Sequence, residues 1–150
     1  MKKISFLLSV LLIMFVAASN NAVFAADESD YTLVEMVEEM NDDCPIEMGE
    51  GMEITRMEIQ PSAVVFYCTL DGDDFELDPS MYAVLKPVMK SAMNESYKQI
   101  TKEEEEFAFF VRLIVKEKKG INFHFTTDDG ANSAQPLILE FSPSEVKGWL

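Results

Sequence analysis

Residues 52–70 read MEITRMEIQPSAVVFYCTL, and the fold assignment starts from this stretch. Both halves are rich in β-branched and aromatic residues, which favour strands. Gln60-Pro61-Ser62 between the halves is typical of a turn. We therefore predict strands over Met52–Ile59 and Ala63–Leu70, paired as a hairpin.

A second hairpin is predicted near the C-terminus. Apolar and polar residues alternate from Ile121 to Thr127, which places Phe123 and Phe125 on one side of a strand and His124 on the other. A polar loop follows, and Leu137–Phe141 is predicted as the last strand. We expect the two phenylalanines to lie in the core and His124 to lie on the polar face.

Helix signals lie before the first hairpin and between the two hairpins. Thr32 and Glu35 have the spacing of a capping box, which predicts a helix near residues 32–41. Asp78-Pro79 is typical of a helix start, and Pro87 is expected to kink or split the helix that follows. The predicted buried stripe of that helix is Met81, Val84, Leu85, Val88, Met89, Ala92 and Met93.

A further helix fits residues 102–118, with glutamates in its first turns and lysines at its end, as the helix dipole favours. Gly120 is placed to terminate it. A strand from Phe109 to Val115 is the alternative. Ser142-Pro143-Ser144-Glu145 predicts a short C-terminal helix.

The predicted order is helix, two strands, helices, two strands and a short helix. This order indicates an α+β fold, with an antiparallel sheet of about four strands (two hairpins) and helices packed on one face. The helix-strand-strand order occurs twice, and the residues leave open whether the halves are a duplication.

The N-terminus carries the pattern of an export signal. Met1-Lys2-Lys3 is basic, Ile4–Ala18 is apolar, and Val23-Phe24-Ala25 fits a cleavage site. We predict a signal peptide over residues 1–25, a single α+β domain over 26–150, and a location in the periplasm or outside the cell. A membrane anchor is the alternative, but the apolar run of about 15 residues is shorter than the roughly 20 needed to span a bilayer. No later segment is apolar enough, so no membrane span is expected after signal cleavage.

The chain is strongly acidic, with a formal net charge of −15 at pH 7. Loss of Lys2 and Lys3 with the signal, and of no acid, lowers the charge to −17. Such a surface is repelled by nucleic acid and by anionic lipid headgroups. We therefore expect no nucleic-acid binding.

Cys44 and Cys68 are the two cysteines of the chain. Cysteines of an exported protein usually pair because the compartment is oxidising, so we predict a Cys44–Cys68 disulfide. Two buried free thiols are the alternative.

No residue pattern specifies catalysis. His124 is the only histidine, and no nucleophile motif or metal-ligand spacing accompanies it. The acidic turn Asp71–Asp78 lacks the ligand spacing of a calcium loop. The methionine pairs four residues apart have the spacing of buried helix positions, although thioethers also bind Cu(I); they are Met36/Met40, Met48/Met52 and Met89/Met93. We assign no catalytic, cofactor-binding or metal-binding residue.

Two short motifs carry a family resemblance. A first helix running into Asn41-x-x-Cys44-Pro45, then a hairpin, then a helix ending in Lys119-Gly120-Ile121-Asn122-Phe123, resembles small exported proteins of unknown function from Bacteroides-type gut bacteria. The resemblance implies an envelope location and no activity.

Three function classes remain. The first is a non-catalytic envelope protein that binds a protein partner or an envelope component. The second is a carrier of a small apolar ligand, held between the methionine-rich helix stripe and the phenylalanine-rich sheet. The third is a hydrolase with an unrecognised carboxylate site.

Overall fold

The computed structural model describes residues 31–47 and 51–150. The predicted signal peptide, residues 1–25, and Met48 lie outside these ranges. The helices are α1 (Leu33–Asp42), α2 (Tyr82–Glu103), α3 (Glu105–Lys116) and α4 (Pro143–Lys147), with a 3₁₀ turn, Pro79–Met81, before α2. The strands are β1 (Ile46–Glu47), β2 (Met52–Ile59), β3 (Ala63–Leu70), β4 (Gly120–Thr127) and β5 (Leu137–Phe141).

The five strands form one mixed sheet in the order β1-β2-β3-β4-β5. Both predicted hairpins, β2–β3 and β4–β5, are present and antiparallel. The α+β class is confirmed, but the expectation of four antiparallel strands is wrong in two respects. β1 adds a fifth strand, and the central pair β3–β4 is parallel. It is parallel because α2 and α3 carry the chain back across the sheet, as parallel pairing requires.

The helix ends follow the capping signals. The Thr32 side chain accepts a hydrogen bond from the Glu35 amide and the Glu35 side chain returns to Thr32, so the predicted capping box is formed. The Ser142 hydroxyl accepts in the same way from the Glu145 amide at the start of α4. Asp78 caps the 3₁₀ turn by accepting from the Ser80 amide.

Two boundaries between the hairpins differ from the prediction. α2 continues through Pro87 to Glu103, and the extended residue Glu104 separates it from α3. The further helix therefore spans Glu105–Lys116 rather than 102–118, and the alternative strand from Phe109 to Val115 is wrong.

Gly120 does not end α3 as expected. The left-handed residue after that helix is Lys118, with φ 57°. Gly120 instead opens β4, where an added Cβ would stand 2.2 Å from the Phe141 carbonyl oxygen. Its role is to let two strands approach closely.

The core lies between the helices and one face of the sheet. Phe66 and Phe123 stack with ring centroids 5.0 Å apart, and Tyr97 of α2 lies 4.8 Å from Trp149. Phe125 is also fully buried. The expectation that Phe123 and Phe125 are core residues is confirmed.

Only part of the predicted apolar stripe of α2 is buried in the structure. Met89 and Met93 are 1% and 2% exposed, whereas Val84 and Val88 are 60% and 53% exposed. The reason is that α2 enters the core only in its later turns, since its first buried residue is Met89. Its start is held instead at the β4–β5 loop, where the buried Asn132 donates to the Tyr82 hydroxyl at 3.0 Å.

Candidate binding surface

One face of the sheet is left uncovered by the described residues, and we call it the open face. Its strand residues are half-buried or exposed, except Ala63, Val65 and Gly120, which are buried. The helices pack on the other face, where the aromatic core lies. The open-face residues are Glu53, Arg56, Glu58, Ala63, Val65, Tyr67, Thr69, Gly120, Asn122, His124, Thr126, Ile138 and Glu140.

A β-bulge at Thr55 sets which side chains of β2 reach the open face. The register with β3 shifts between Ile54 and Arg56, and the Thr55 hydroxyl donates to the Tyr67 carbonyl at 3.1 Å. The extra residue reverses the alternation. Arg56 is therefore exposed while Met57 is buried.

Arg56, Tyr67 and His124 form a row across three neighbouring strands. Arg56 pairs with Tyr67 in the sheet, and Tyr67 pairs with His124. The Arg56 guanidinium carbon lies 3.8 Å from the Tyr67 ring centroid, and the Tyr67 and His124 rings lie 5.1 Å apart. The tyrosine ring is thus held between a cation and an imidazole.

Glu58 contacts two members of this row, Arg56 and Tyr67. It forms an ion pair with Arg56 at 3.1 Å, and its carboxylate also accepts from the Tyr67 hydroxyl at 3.3 Å. The side chains of Arg56 and Glu58 are 58% and 42% exposed, so the pair itself adds little stability. Its effect is to restrict the orientations of the arginine and tyrosine side chains.

His124 lies on the polar side of its strand, as predicted. Partial burial lowers the pKa of His124 below its ordinary value, and the opposing effect of Glu140 does not cancel it. The imidazole is therefore neutral at neutral pH. Among residues 31–47 and 51–150, no serine or cysteine forms a hydrogen bond with it, so the geometry gives it no nucleophile to activate.

Two cavities lie at the ends of the sheet. One of about 390 Å³ is lined by carboxylates that include Glu53, Asp71 and Asp128. The other, of about 430 Å³, contains the Lys90–Glu145 ion pair at 2.9 Å. Neither lies between the methionine stripe and the phenylalanines, where an apolar ligand was expected.

The cysteines are both free thiols, so the predicted Cys44–Cys68 disulfide is not formed in the structure. The Cys44 thiol donates to the Met40 carbonyl at 3.3 Å, and β2 lies between β1 and β3, which carries Cys68. Burial raises the pKa of the Cys68 thiol, and the charge of Cys44 raises it further. Bond formation would require the Cys44 thiol to give up its hydrogen bond to the Met40 carbonyl.

The described residues offer no constellation for a metal. Within residues 31–47 and 51–150, no three His, Cys, Asp or Glu side chains converge on a common point. Of the predicted methionine pairs, the described members Met36, Met52, Met89 and Met93 are buried in the hydrophobic core, and Met40 packs against it partly buried. No helix in the same ranges is long and apolar enough to cross a membrane.

A second exposed surface lies at the start of α2. Met81 is 48% exposed, and with Val84 and Val88 it forms an apolar strip at helical spacing. Leu85 packs partly against the core beside it. We call Met81, Val84 and Val88 the α2 strip.

Sequence reasoning placed His124 on the open face but missed Arg56 and Tyr67. The signal was present in β2, since its apolar residues lie at positions 52, 54, 57 and 59 and do not alternate strictly. A single step of three in an alternating strand indicates a bulge. That step would have placed Arg56 on the same face as Tyr67.

The fold and surface define an α+β protein whose five-stranded sheet has one helix-covered face and one open face. No protein-family model matches the chain, and no curated protein matches it. A similar solved structure is the 1.60 Å crystal structure of a Pseudomonas aeruginosa protein inferred to be secreted. The two chains are 11% identical, the match covers 76% of this chain and 88% of the other, and the TM-score is 0.50. That likeness concerns the fold alone, and nothing in the comparisons connects the chain to Bacteroides-type proteins.

Proposed function

We propose that this is a non-catalytic exported protein that binds a protein partner or an envelope component through the open face. The observation that carries the proposal is the position of Tyr67, held between Arg56 and His124 on a face that no described residue covers. Tyrosine and arginine are enriched among the residues that contribute most to binding energy.

The rigidity of the row supports a binding role. A side chain that is already ordered loses less conformational entropy when a partner binds. Tyr67 has three neighbours that restrict it, namely Arg56 above its ring, His124 beside it and Glu58 at its hydroxyl. The α2 strip lacks such an arrangement, and valine is under-represented among binding hot spots.

The compartment is part of the proposal. Residues 1–25 are proposed as a cleaved signal peptide, residues 26–150 as one domain, and the location as the periplasm or the cell exterior. The mass of the intact protein recovered from its native host tests this, with Ala26 as the expected N-terminus. The same spectrum shows whether the exported protein has lost two hydrogens through a Cys44–Cys68 bond. An uncleaved chain in the membrane fraction contradicts the proposal.

Site-specific photocrosslinking in the native host tests the binding surface. A photoreactive residue at Thr126, on the open face, should form a discrete crosslink that Tyr67→Ser abolishes. The matched position is Val84 on the α2 strip, where no crosslink to that partner is expected. Crosslinks from Val84 and none from Thr126 would move the binding surface to α2.

Neither alternative function has a specific observation in its favour. A carrier of apolar ligands needs an apolar cavity, and the two cavities described are lined largely by polar and charged residues. A hydrolase with a carboxylate site would have to use the carboxylates of the cavity of about 390 Å³, but Asp71 and Asp128 there accept hydrogen bonds from the backbone amides of Asp73 and Gly72.

A further inference from the structure

The charges of the open face point to the chemistry of its partner. Glu53, Glu58 and Glu140 all lie on this face, while its cation Arg56 is already paired with Glu58. Within the described ranges, neither Glu53 nor Glu140 forms an ion pair. Arg56 is the one cationic side chain among the open-face residues described, so Glu53 and Glu140 have no ion-pair partner on this face.

The aromatic row is suited to the same kind of ligand. Tyr67 already stacks against one guanidinium, that of Arg56, at 3.8 Å. Cations bind the faces of aromatic rings through the ring quadrupole, and arginine does so most often. The half-buried ring of His124 lies beside Tyr67 and extends the aromatic platform toward Ile138, its neighbour on β5.

We infer that the open face binds a cationic, lysine- or arginine-rich segment of a partner protein. This inference rests on the proposed function and deepens it. The cationic side chains pair with Glu53 and Glu140, and the segment crosses the row of Tyr67 and His124 between them. The charge of the whole chain, −15 before signal removal, attracts the same partner from a distance.

Other partner chemistries fit the surface less well. An anionic partner, such as a nucleic acid or an acidic lipid headgroup, meets carboxylates on the face and a strongly acidic molecule behind it. An uncharged apolar partner would remove Glu53 and Glu140 from water without supplying a counter-charge, which is costly. A cationic segment avoids both penalties.

The test uses a short oligo-arginine peptide as the probe. The target is the protein as recovered after export, labelled with ¹⁵N. Amide shifts recorded during the titration locate the binding site residue by residue. The expected shifts are concentrated on β3 and β4, around Tyr67, Asn122 and His124. An oligo-glutamate peptide of equal length should produce none.

Two matched double variants separate specific docking from general attraction between opposite charges. E53Q with E140Q removes the two carboxylates of the open face that form no ion pair with a described residue. E76Q with E117Q removes two exposed carboxylates outside the sheet and changes the net charge equally. The first pair should weaken peptide binding about tenfold, and the second less than about twofold. Thermal melts of both proteins check that the fold is retained.

Equal weakening by the two pairs, or shifts spread over the helices, would overturn the inference. Either result would show that the peptide is attracted by net charge and does not dock on the open face. The proposed function fails separately, if the crosslink from Thr126 is absent. A Thr126 crosslink that Tyr67→Ser abolishes, together with a peptide that does not localise, would retain the open face as a binding surface and reject a cationic partner.

Discussion

The side chain of Asn41 pairs with the backbone of Met57 as a neighbouring strand would. Its amide nitrogen donates to the Met57 carbonyl at 2.9 Å, and its amide oxygen accepts from the Met57 N–H at 2.7 Å. β1 pairs with β2 only at Glu53 and Ile54, so Met57 lies on an otherwise free edge. Asn41 therefore satisfies the free hydrogen-bonding groups of that edge and attaches the end of α1 to the sheet.

Asn41→Ala should lower the free energy of unfolding by about 1–3 kcal/mol, because it leaves two backbone groups of Met57 without partners. Denaturant unfolding measures the change, and faster hydrogen exchange at the Met57 amide locates it. Asp42→Ala, at the exposed neighbouring position, is the control and should change stability by less than about 0.5 kcal/mol. An unchanged exchange rate at Met57 in Asn41→Ala would show that the pairing does not protect the edge.

The two faces of β4 should respond differently to truncation. Phe123 and Phe125 are both 0% exposed, so replacing either by alanine should cost about 3–5 kcal/mol. His124→Ala should cost far less, since the side chain is half-buried and lies on the open face. Thermal melts of the three variants test this order. If His124→Ala were the most damaging, the imidazole would have a structural or catalytic role that its contacts do not show.

Truncations in the later turns of α2 should cost more stability than truncations in its earlier turns. Met89→Ala and Met93→Ala remove buried side chains and should each cost about 2–5 kcal/mol. Val84→Ala and Val88→Ala remove exposed methyl groups and should stay within about 0.5 kcal/mol of the parent. Chemical denaturation of the four variants distinguishes them. A large loss at Val84 or Val88 would indicate that another part of the protein covers the α2 strip.

Stability should fall in alkaline solution. Burial raises the pKa values of Cys68 and Tyr97 in the folded protein above their ordinary values of 9.0 and 10.0. The unfolded chain therefore releases these protons first as the pH rises. The contribution of these two groups to the free energy of unfolding should be constant below about pH 8 and should decrease through pH 9 and 10. Urea unfolding at several pH values measures the slope, and Cys68→Ala should reduce the part of it near pH 9. A slope unaffected by Cys68→Ala would assign the fall to other groups.

Local signals in the sequence predicted the strands and helix caps well. β2, β3 and β5 have the predicted bounds, and the caps at Thr32 and Ser142 are formed as their spacing indicated. Such features depend on neighbouring residues, so a single sequence contains the information.

Non-local features were missed because no local pattern specifies them. The parallel pairing of β3 with β4 depends on the path of the chain between them. The exposure of Val84 and Val88 depends on where α2 meets the core. These two residues are four apart in the sequence, like the buried pair Met89 and Met93. The Arg56–Tyr67 contact is an intermediate case, because the broken alternation of β2 signals the bulge but not the partner across it.

The parallel central pair has a consequence for how the protein folds. Ala63 pairs with Gly120 and Leu70 with Thr127, a separation of 57 residues in both cases. Contacts so distant in sequence form slowly, because a long loop must close before they contribute stability. Until β4 has been synthesised, β3 has a free edge and Phe66 lacks its stacking partner. The chain therefore keeps one edge of its most apolar strand unpaired while it is incomplete, and fragments that end before Gly120 should aggregate instead of forming a smaller version of the fold.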